Sequence, residues 1–236
     1  MCTVVFLPNN SQPCFASLRD ESPLRRTAIA PALYTNHGVD YVAPLDAEAG
    51  GTWVGANEFG NVIILLNGGF ENHIRQTSYR QSRGLIVKEL LAVVDPVSDW
   101  LSMDLRDIEP FTLIVFADNH LYQLVWDGQL KHNIRLDVCQ TYIWSSATLY
   151  NAAAKVTRSQ LFKQWLAAHH EISEQSILSF FASVDDANNG FLINRSATMQ
   201  TLSYTFITLA KTANIRYHDF LNTRKNIAIL DLKELV

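Results

Sequence analysis

The sequence contains few cysteines, no surplus of basic residues and no long apolar run. Its 236 residues include only Cys2, Cys14 and Cys139, an odd number without a Cys-x-x-Cys pair. This count argues against a disulfide framework and against a cysteine-based zinc site. The formal net charge of −4 disfavours nucleic acid as a partner. No stretch reaches the roughly 18 apolar residues of a membrane-spanning helix, so we expect no transmembrane segment.

The same composition predicts a single domain in a reducing compartment. Polar and proline residues interrupt the first apolar run after Leu7, unlike the layout of a secretory leader, and we therefore expect a cytoplasmic location. Hydrophobic residues make up 48% of the chain, which is sufficient for a sizeable core. No linker divides the sequence, so we expect one domain over residues 1–236. We expect neither a metal nor another cofactor.

Hydrophobic patterning predicts antiparallel hairpins that alternate with pairs of helices. Residues 22–50 have three prolines and little periodicity, so we expect a long irregular excursion there. We expect Thr157 or Ser159 to cap the second helix pair. The predicted strands cover 2–7, 14–18, two runs around a turn at 57–61, 111–117, 120–126, 129–134, 140–146, 201–209 and 213–219. The predicted helices cover 86–94, 97–103 and two segments within 158–183.

This order of elements predicts an α+β fold with helices stacked on antiparallel sheets. The strand at 61–67 is so continuously apolar that both of its faces must be covered. A second sheet on one side and helices on the other would cover it, which gives an αββα four-layer sandwich.

The second residue is a candidate nucleophile. Loss of Met1, which a small second side chain generally permits, would leave Cys2 with a free α-amine. An α-amine has a pKa of about 7.7–8.0 and a free thiol one of about 8.5, so the two groups are matched for proton transfer near neutral pH. The alternative is that Cys2 merely begins an apolar strand, as a small buried hydrophobic residue.

Three segments together resemble the NRDE family, also called the transport and Golgi organisation 2 family. They are Met1-Cys2, Leu18-Arg19-Asp20-Glu21, and Gly50-Gly51-Thr52-Trp53 followed by the strand that ends at Asn67. That family is similar in turn to cysteine N-terminal-nucleophile hydrolases. The resemblance implies an αββα fold and the hydrolysis of an amide or thioester bond in a small-molecule substrate.

The resemblance also implies roles for individual residues. Arg19 would lie near the Cys2 thiol, Asp20 near its amine, and Asn67 near the oxyanion. Glu21, Trp53 and Ser146 would contribute to the substrate pocket. Adjacent residues of a regular strand point to opposite faces. Arg19 and Asp20 therefore cannot both line one pocket unless the chain bends, and Glu21 is the alternative partner of Arg19.

Three departures from the family pattern leave a second function open. Leu18 replaces the asparagine of the Asn-Arg-Asp-Glu box, Ser146 stands where an asparagine is expected, and Leu202 replaces an arginine. These losses favour a non-catalytic binding or trafficking protein, and the resemblance implies haem, a lipid or an acyl thioester as its ligand. Arg75, Arg80 and Arg83 are candidates for binding a carboxylate or phosphate. The sequence leaves the oligomeric state open.

Overall fold

The computed structural model describes residues 3–8, 12–169, 172–184, 186, 190–195 and 198–233. This part of the chain forms fourteen strands and four helices. The strands are β1 (Thr3–Leu7), β2 (Cys14–Glu21), β3 (Ile29–Asn36), β4 (Val39–Leu45), β5 (Val54–Asn57), β6 (Val62–Asn67), β7 (Phe111–Ala117), β8 (His120–Trp126), β9 (Lys131–Leu136), β10 (Tyr142–Ser145), β11 (Asn194–Arg195), β12 (Met199–Leu209), β13 (Thr212–Asp219) and β14 (Arg224–Asp231). The helices are α1 (Arg83–Leu91), α2 (Pro96–Ser102), α3 (Ala152–Ala168) and α4 (Glu174–Ser183).

The strands form two antiparallel sheets of seven strands each. The first sheet has the order β10-β1-β2-β12-β13-β14, with β11 paired to β12. The second sheet follows chain order from β3 to β9. Tight turns connect most neighbours, and the turn between β7 and β8 has positive φ angles at Asp118 and Asn119, as a two-residue hairpin requires.

Two hydrophobic clusters hold four layers together. The first cluster lies between the sheets and continues to the outer face of the second sheet, where Ile86, Leu90 and Trp100 of α1 and α2 pack. The second cluster joins the outer face of the first sheet to α3 and α4 through Phe162 and Phe181. The layer order is therefore αββα, as the sequence predicts. Residues 62–66 of β6 are all buried, which confirms that both faces of this strand are covered.

The prediction of an irregular segment at 22–50 is wrong. This segment contains the hairpin β3–β4, in which Leu33 pairs with Val42. The connecting residues His37 and Gly38 both have positive φ. A His-Gly pair is not one of the usual sequence signals for such a turn, which are Asn-Gly and Asp-Gly. Pro31 lies where the register of the hairpin shifts, and such irregularities are where a strand tolerates proline.

The predicted caps of the second helix pair are also wrong. Helix α3 begins at Ala152, and the side chain of Asn151 accepts a hydrogen bond from the Ala154 amide at 2.9 Å. Thr157 lies in the helix interior and donates its hydroxyl to the Ala153 carbonyl. Asparagine is as good an N-cap as serine or threonine, and with Asn151 in this role the helix begins at residue 152 rather than at 158. In the described part of the chain, every helix is too short or too polar to cross a membrane.

Candidate functional site

A cleft of about 860 Å³ opens where the end of β2 meets the Gly50–Trp53 segment, the end of β6 and the loop before α1. Most of the side chains around it are polar or charged. The charged members are Arg19, Glu21, Arg25, Asp46, Arg75, Arg83 and Glu109.

Arg19 is the most buried of these charged residues, with 5% of its surface exposed. Its guanidinium lies 4.4 Å from the centre of the Trp53 ring and donates to an Oδ2 of Asp46 at 3.1 Å. Stacking on an aromatic face and a carboxylate partner together fix both the plane and the position of a guanidinium. Arg19 therefore presents a preoriented positive charge at the wall of the cleft.

Asp46 holds a second arginine in the same wall. Its Oδ2 accepts from Nε of Arg25 at 2.8 Å, while its Oδ1 accepts from the amides of Glu48 and Ala49 at 3.0 Å. Burial alone would raise the pKa of Asp46, but the hydrogen bonds from Arg25 and the two amides outweigh it, so this pKa lies below its ordinary value. The carboxyl stays ionised in the folded protein and bridges the two guanidiniums.

Asp20 and Glu21 point to different layers, because β2 continues as a strand through both. Glu21 lines the cleft with Arg19. The Asp20 side chain lies on the opposite face, 3% exposed, and its Oδ1 accepts from the hydroxyl of Thr201 at 2.6 Å. The same hydroxyl oxygen accepts from the Ile193 amide at 2.9 Å. Of the two carboxylates considered from the sequence, Glu21 thus shares the cleft with Arg19.

The Gly50–Trp53 segment is held against the first turn of α1. A Cβ on Gly51 would lie 2.4 Å from the carbonyl carbon of Gly84, so neither backbone leaves room for a side chain. The Thr52 amide donates to the Gly84 carbonyl at 3.0 Å. This close approach seats Trp53 beside Arg19, and 5% of the Trp53 surface is exposed.

Asn67 and Ser146 lie at neighbouring but distinct sites. Asn67, the last residue of β6, lines the cleft, and its carbonyl accepts from the Ala147 amide at 3.2 Å. Ser146 is buried and lines a separate pocket of about 170 Å³. Thr148, whose hydroxyl lies 3.5 Å from that of Ser146, reaches the cleft instead. The cleft thus brings together Arg19, Glu21, Trp53 and Asn67, but neither Asp20 nor Ser146.

Cys2 lies outside the described residues, and Thr3 is the nearest described neighbour. Thr3 begins β1 and pairs with Leu18 of β2 on one side and with Ser145 of β10 on the other. Val4 and Phe6 belong to the cluster between the sheets, whereas Val5 and Leu7 belong to the cluster beneath the helices. Leu18 packs in the latter cluster and is fully buried. The substitution of asparagine by Leu18 therefore adds to the core under the helices.

Arg158 is a buried residue that the sequence analysis missed. It is 0% exposed, lies between the rings of Tyr150 and Phe191 at 4.0 and 4.1 Å, and donates to the hydroxyls of Thr3 and Ser145 at 2.5 and 2.8 Å. The sequence feature that could have identified Arg158 is its position one helical turn before Phe162, on the buried face of α3. An arginine at such a position needs hydrogen-bond partners inside the protein.

A second group of charges lines the cleft around Glu109, and we call this group the far wall. Glu109 lies within 3.1 Å of Arg83, 3.3 Å of His73 and 3.9 Å of Arg75. Burial lowers the pKa of Arg83. Arg80 instead donates to the carbonyls of Asp104 and Arg106 and does not line the cleft. Nowhere in the described ranges do three or more His, Cys, Asp or Glu side chains form a group that could hold a metal ion.

Comparison with solved structures shows the fold. The N-acylethanolamine-hydrolyzing acid amidase ortholog of Caenorhabditis elegans superposes with a TM-score of 0.61 at 14% identity, over 87% of this chain and 92% of that one. Two variants of the conjugated bile acid hydrolase from Clostridium perfringens each superpose with a TM-score of 0.55. They are 10% and 9% identical and match over 99% and 100% of this chain and 97% of theirs.

These enzymes have the N-terminal-nucleophile-hydrolase fold, so the predicted αββα class is confirmed. No curated protein matches the chain by sequence. The family model for transport and Golgi organisation 2 matches residues 1–234. The chain therefore belongs to the transport and Golgi organisation 2 family.

Proposed function

We propose that this protein hydrolyses an amide or thioester bond of a small molecule, with Cys2 as the nucleophile after removal of Met1. The observation that carries the proposal is Arg19, a buried guanidinium fixed at the cleft end of β2, next to the strand on which the N-terminus begins. Because a nearby guanidinium lowers the pKa of a thiol, this position suits a reactive cysteine.

The pairing of β1 with β2 supports a place for Cys2 beside Arg19. Thr3 pairs with Leu18 and Val4 with Ser17, so the same antiparallel register continued by one residue would pair position 2 with Arg19. Side chains alternate between the faces of a strand. Since Val4 and Phe6 face the space between the sheets, position 2 would face the same side as Arg19. The α-amine would then be directed toward Asp20.

The proposed reaction uses the thiol and α-amine of Cys2, the side-chain amide of Asn67 and one water molecule. The α-amine would take the proton of the thiol as the sulfur attacks the carbonyl carbon, and it would return that proton to the leaving nitrogen or sulfur as the bond to it breaks. Water would then attack the acyl-cysteine and release the acid and the free thiol. The side-chain amide of Asn67 would donate to the oxyanion, where a fixed donor is most effective.

A second candidate is a non-catalytic protein that binds or transports haem, a lipid or an acyl thioester. Two observations favour it. Leu18 supplies packing where the family box has a polar side chain, and Ser146 lies in the pocket next to the cleft. A site that lacks both donors would keep a cleft but could lose turnover.

The low cysteine count further supports a reducing cytoplasmic location, in which an exposed thiol is preserved.

The test is N-terminal mass analysis followed by alkylation of the purified protein with iodoacetamide between pH 5 and 9. We expect the mass of a chain that begins at Cys2, and alkylation of Cys2 at pH 7 that is faster than that of the exposed Cys139. Arg19→Leu should slow the Cys2 reaction at pH 7 by about 10-fold, while Arg19→Lys should keep most of it.

Arg106→Leu is the matched control, because Arg106 is 85% exposed and pairs with Asp104 away from the cleft. Retention of Met1, or equal rates at Cys2 and Cys139, would refute the catalytic proposal. Ligand binding that survives Cys2→Ala, in a protein with no turnover before the change, would favour the second candidate.

A further inference from the structure

We propose that the ligand of this cleft bears an anionic group, a carboxylate or a phosphate, which binds to Arg75 and Arg83 beside Glu109. This inference rests on the proposed function in that it names the substrate class of the same cleft. It concerns a wall formed by the loop before α1 and by the first turn of that helix.

The charges that line the cleft do not balance. Four arginines face three carboxylates among the described lining residues, so one positive charge remains even when His73 is neutral. On the near wall, around Asp46, this carboxylate pairs with both Arg19 and Arg25, while Glu21 and Glu48 lie 4.0 and 3.8 Å from Arg25. Three carboxylates therefore offset the two arginines of the near wall.

The surplus lies on the far wall, where one carboxylate faces three basic side chains. Glu109 is 13% exposed, and its Oε2 lies 3.1 Å from a terminal nitrogen of Arg83. Its other oxygen lies 3.3 Å from Nε2 of His73 and 3.9 Å from Nε of Arg75. The last distance is too long for a hydrogen bond, so Arg75 forms an ion pair with Glu109 but keeps its guanidinium donors available.

Burial destabilises the charged form of Arg83 by more than the neighbouring Glu109 restores. Burial lowers the pKa of Arg83 most, and the neighbouring Arg75 lowers it further, while Glu109 opposes both. The net direction is downward, so the charged guanidinium is less stable here than in water. A bound anion would reverse this effect, because an opposite charge nearby favours the ionised form.

The rest of this wall suits a polar ligand better than a hydrocarbon chain. Asn72, Gln76, Thr77, Ser78 and Gln81 line the cleft beside the arginines. Amides and hydroxyls lose hydrogen bonds to water when apolar groups cover them, at a cost in free energy. A carboxylate or phosphate would instead accept hydrogen bonds from them and from the planar fork of an arginine.

The experiment measures binding by isothermal titration calorimetry to the full chain with Cys2→Ala, which removes the nucleophile. The ligands are adipate, inorganic phosphate and, as a neutral match for adipate in length, hexane-1,6-diol. We expect adipate or phosphate to bind and the diol not to bind. Whichever anion binds more tightly identifies the group that the wall prefers.

Arg75→Gln should weaken anion binding by about 5-fold, a factor typical of one exposed charge pair. Arg75 is 79% exposed, so this change should not affect folding. Arg106→Gln, which removes a similarly exposed arginine outside the cleft, should leave binding unchanged.

Equal binding of diol and adipate, no binding of either anion, or an Arg75→Gln variant with undiminished affinity would each overturn the inference. Because the variants carry no nucleophile, these results do not depend on turnover. Failure of hydrolysis with intact anion binding would refute the proposed function alone, whereas hydrolysis of neutral substrates without anion binding would refute this inference alone.

Discussion

Replacement of Thr201 by valine tests whether the Thr201 hydroxyl, which bonds both Asp20 and the Ile193 amide, stabilises the fold. The hydroxyl donates to Asp20 at 2.6 Å and accepts from the Ile193 amide at 2.9 Å. Thr201 and Asp20 are 8% and 3% exposed, so water can replace little of what the hydroxyl provides. Valine has nearly the same shape, so the loss is that of the two hydrogen bonds rather than of packing.

The magnitude follows from those two bonds. A hydrogen bond to a charged group contributes about 1.5–3 kcal/mol and a neutral one about 1 kcal/mol. We therefore expect Thr201→Val to lower the free energy of unfolding by about 3 kcal/mol. Thr201→Ser is the matched control, because it keeps the hydroxyl and loses one methyl group, at a cost of about 1 kcal/mol.

Urea unfolding at pH 7 and 25 °C, followed by tryptophan fluorescence, measures both variants against the unmodified protein. The reasoning requires the valine variant to be less stable than the serine variant. If the two differ by less than about 0.5 kcal/mol, or if serine is the more damaging change, the hydroxyl is not what stabilises this part of the first sheet.

Two further predictions use the same assay. Arg158→Met should lower the free energy of unfolding by roughly 3–6 kcal/mol, because it removes two hydrogen bonds from a buried charged donor to the hydroxyls of Thr3 and Ser145, each of which contributes about 1.5–3 kcal/mol. Arg106→Met should change it by less than about 0.5 kcal/mol, and similar values for the two would contradict this account. The pKa of Asp46 is lowered in the folded protein, so its stabilising contribution is present above its ordinary pKa near about 4 and disappears as the pH falls through the lower folded value. Urea unfolding from pH 7 to pH 2 should therefore show a stability gap between the unmodified protein and Asp46→Asn that closes at acid pH, whereas a constant gap would contradict the assigned direction.

The elements of the fold that could be predicted from sequence are those with local signals. The apolar run of β6 and the two-residue turn at Asp118 and Asn119 reflect constraints within a few neighbouring residues. The hairpin β3–β4 could not be predicted, because its turn uses His37 in a conformation with positive φ and because Pro31 suggests a loop. In both cases pairing with a neighbouring strand overrides the local preference.

The candidate site divides in the same way. The sequence predicts one pocket for Arg19, Glu21 and Trp53, and all three line the cleft. Each belongs to a short motif on or next to a strand, where side chains alternate between the two faces. Ser146 and Arg158 depend on distant parts of the chain. Arg158 contacts Thr3 across 155 positions of sequence, and no spacing rule covers such a separation.

The register shift in β12 has a consequence for how this strand could change. Thr201 pairs with Asp20 and Ser203 with Arg19, so β12 has one residue more than β2 between the two pairs. That residue is Leu202, and its presence lets two positions with even spacing face different layers. Deletion of Leu202 would reverse which face the side chains point to on one side of the gap. Either Thr201 would turn away from the helices or Ser203 would turn away from the space between the sheets. The extra residue Leu202, although apolar, thus determines which face of the sheet the hydroxyl groups beside Asp20 and Arg19 point to.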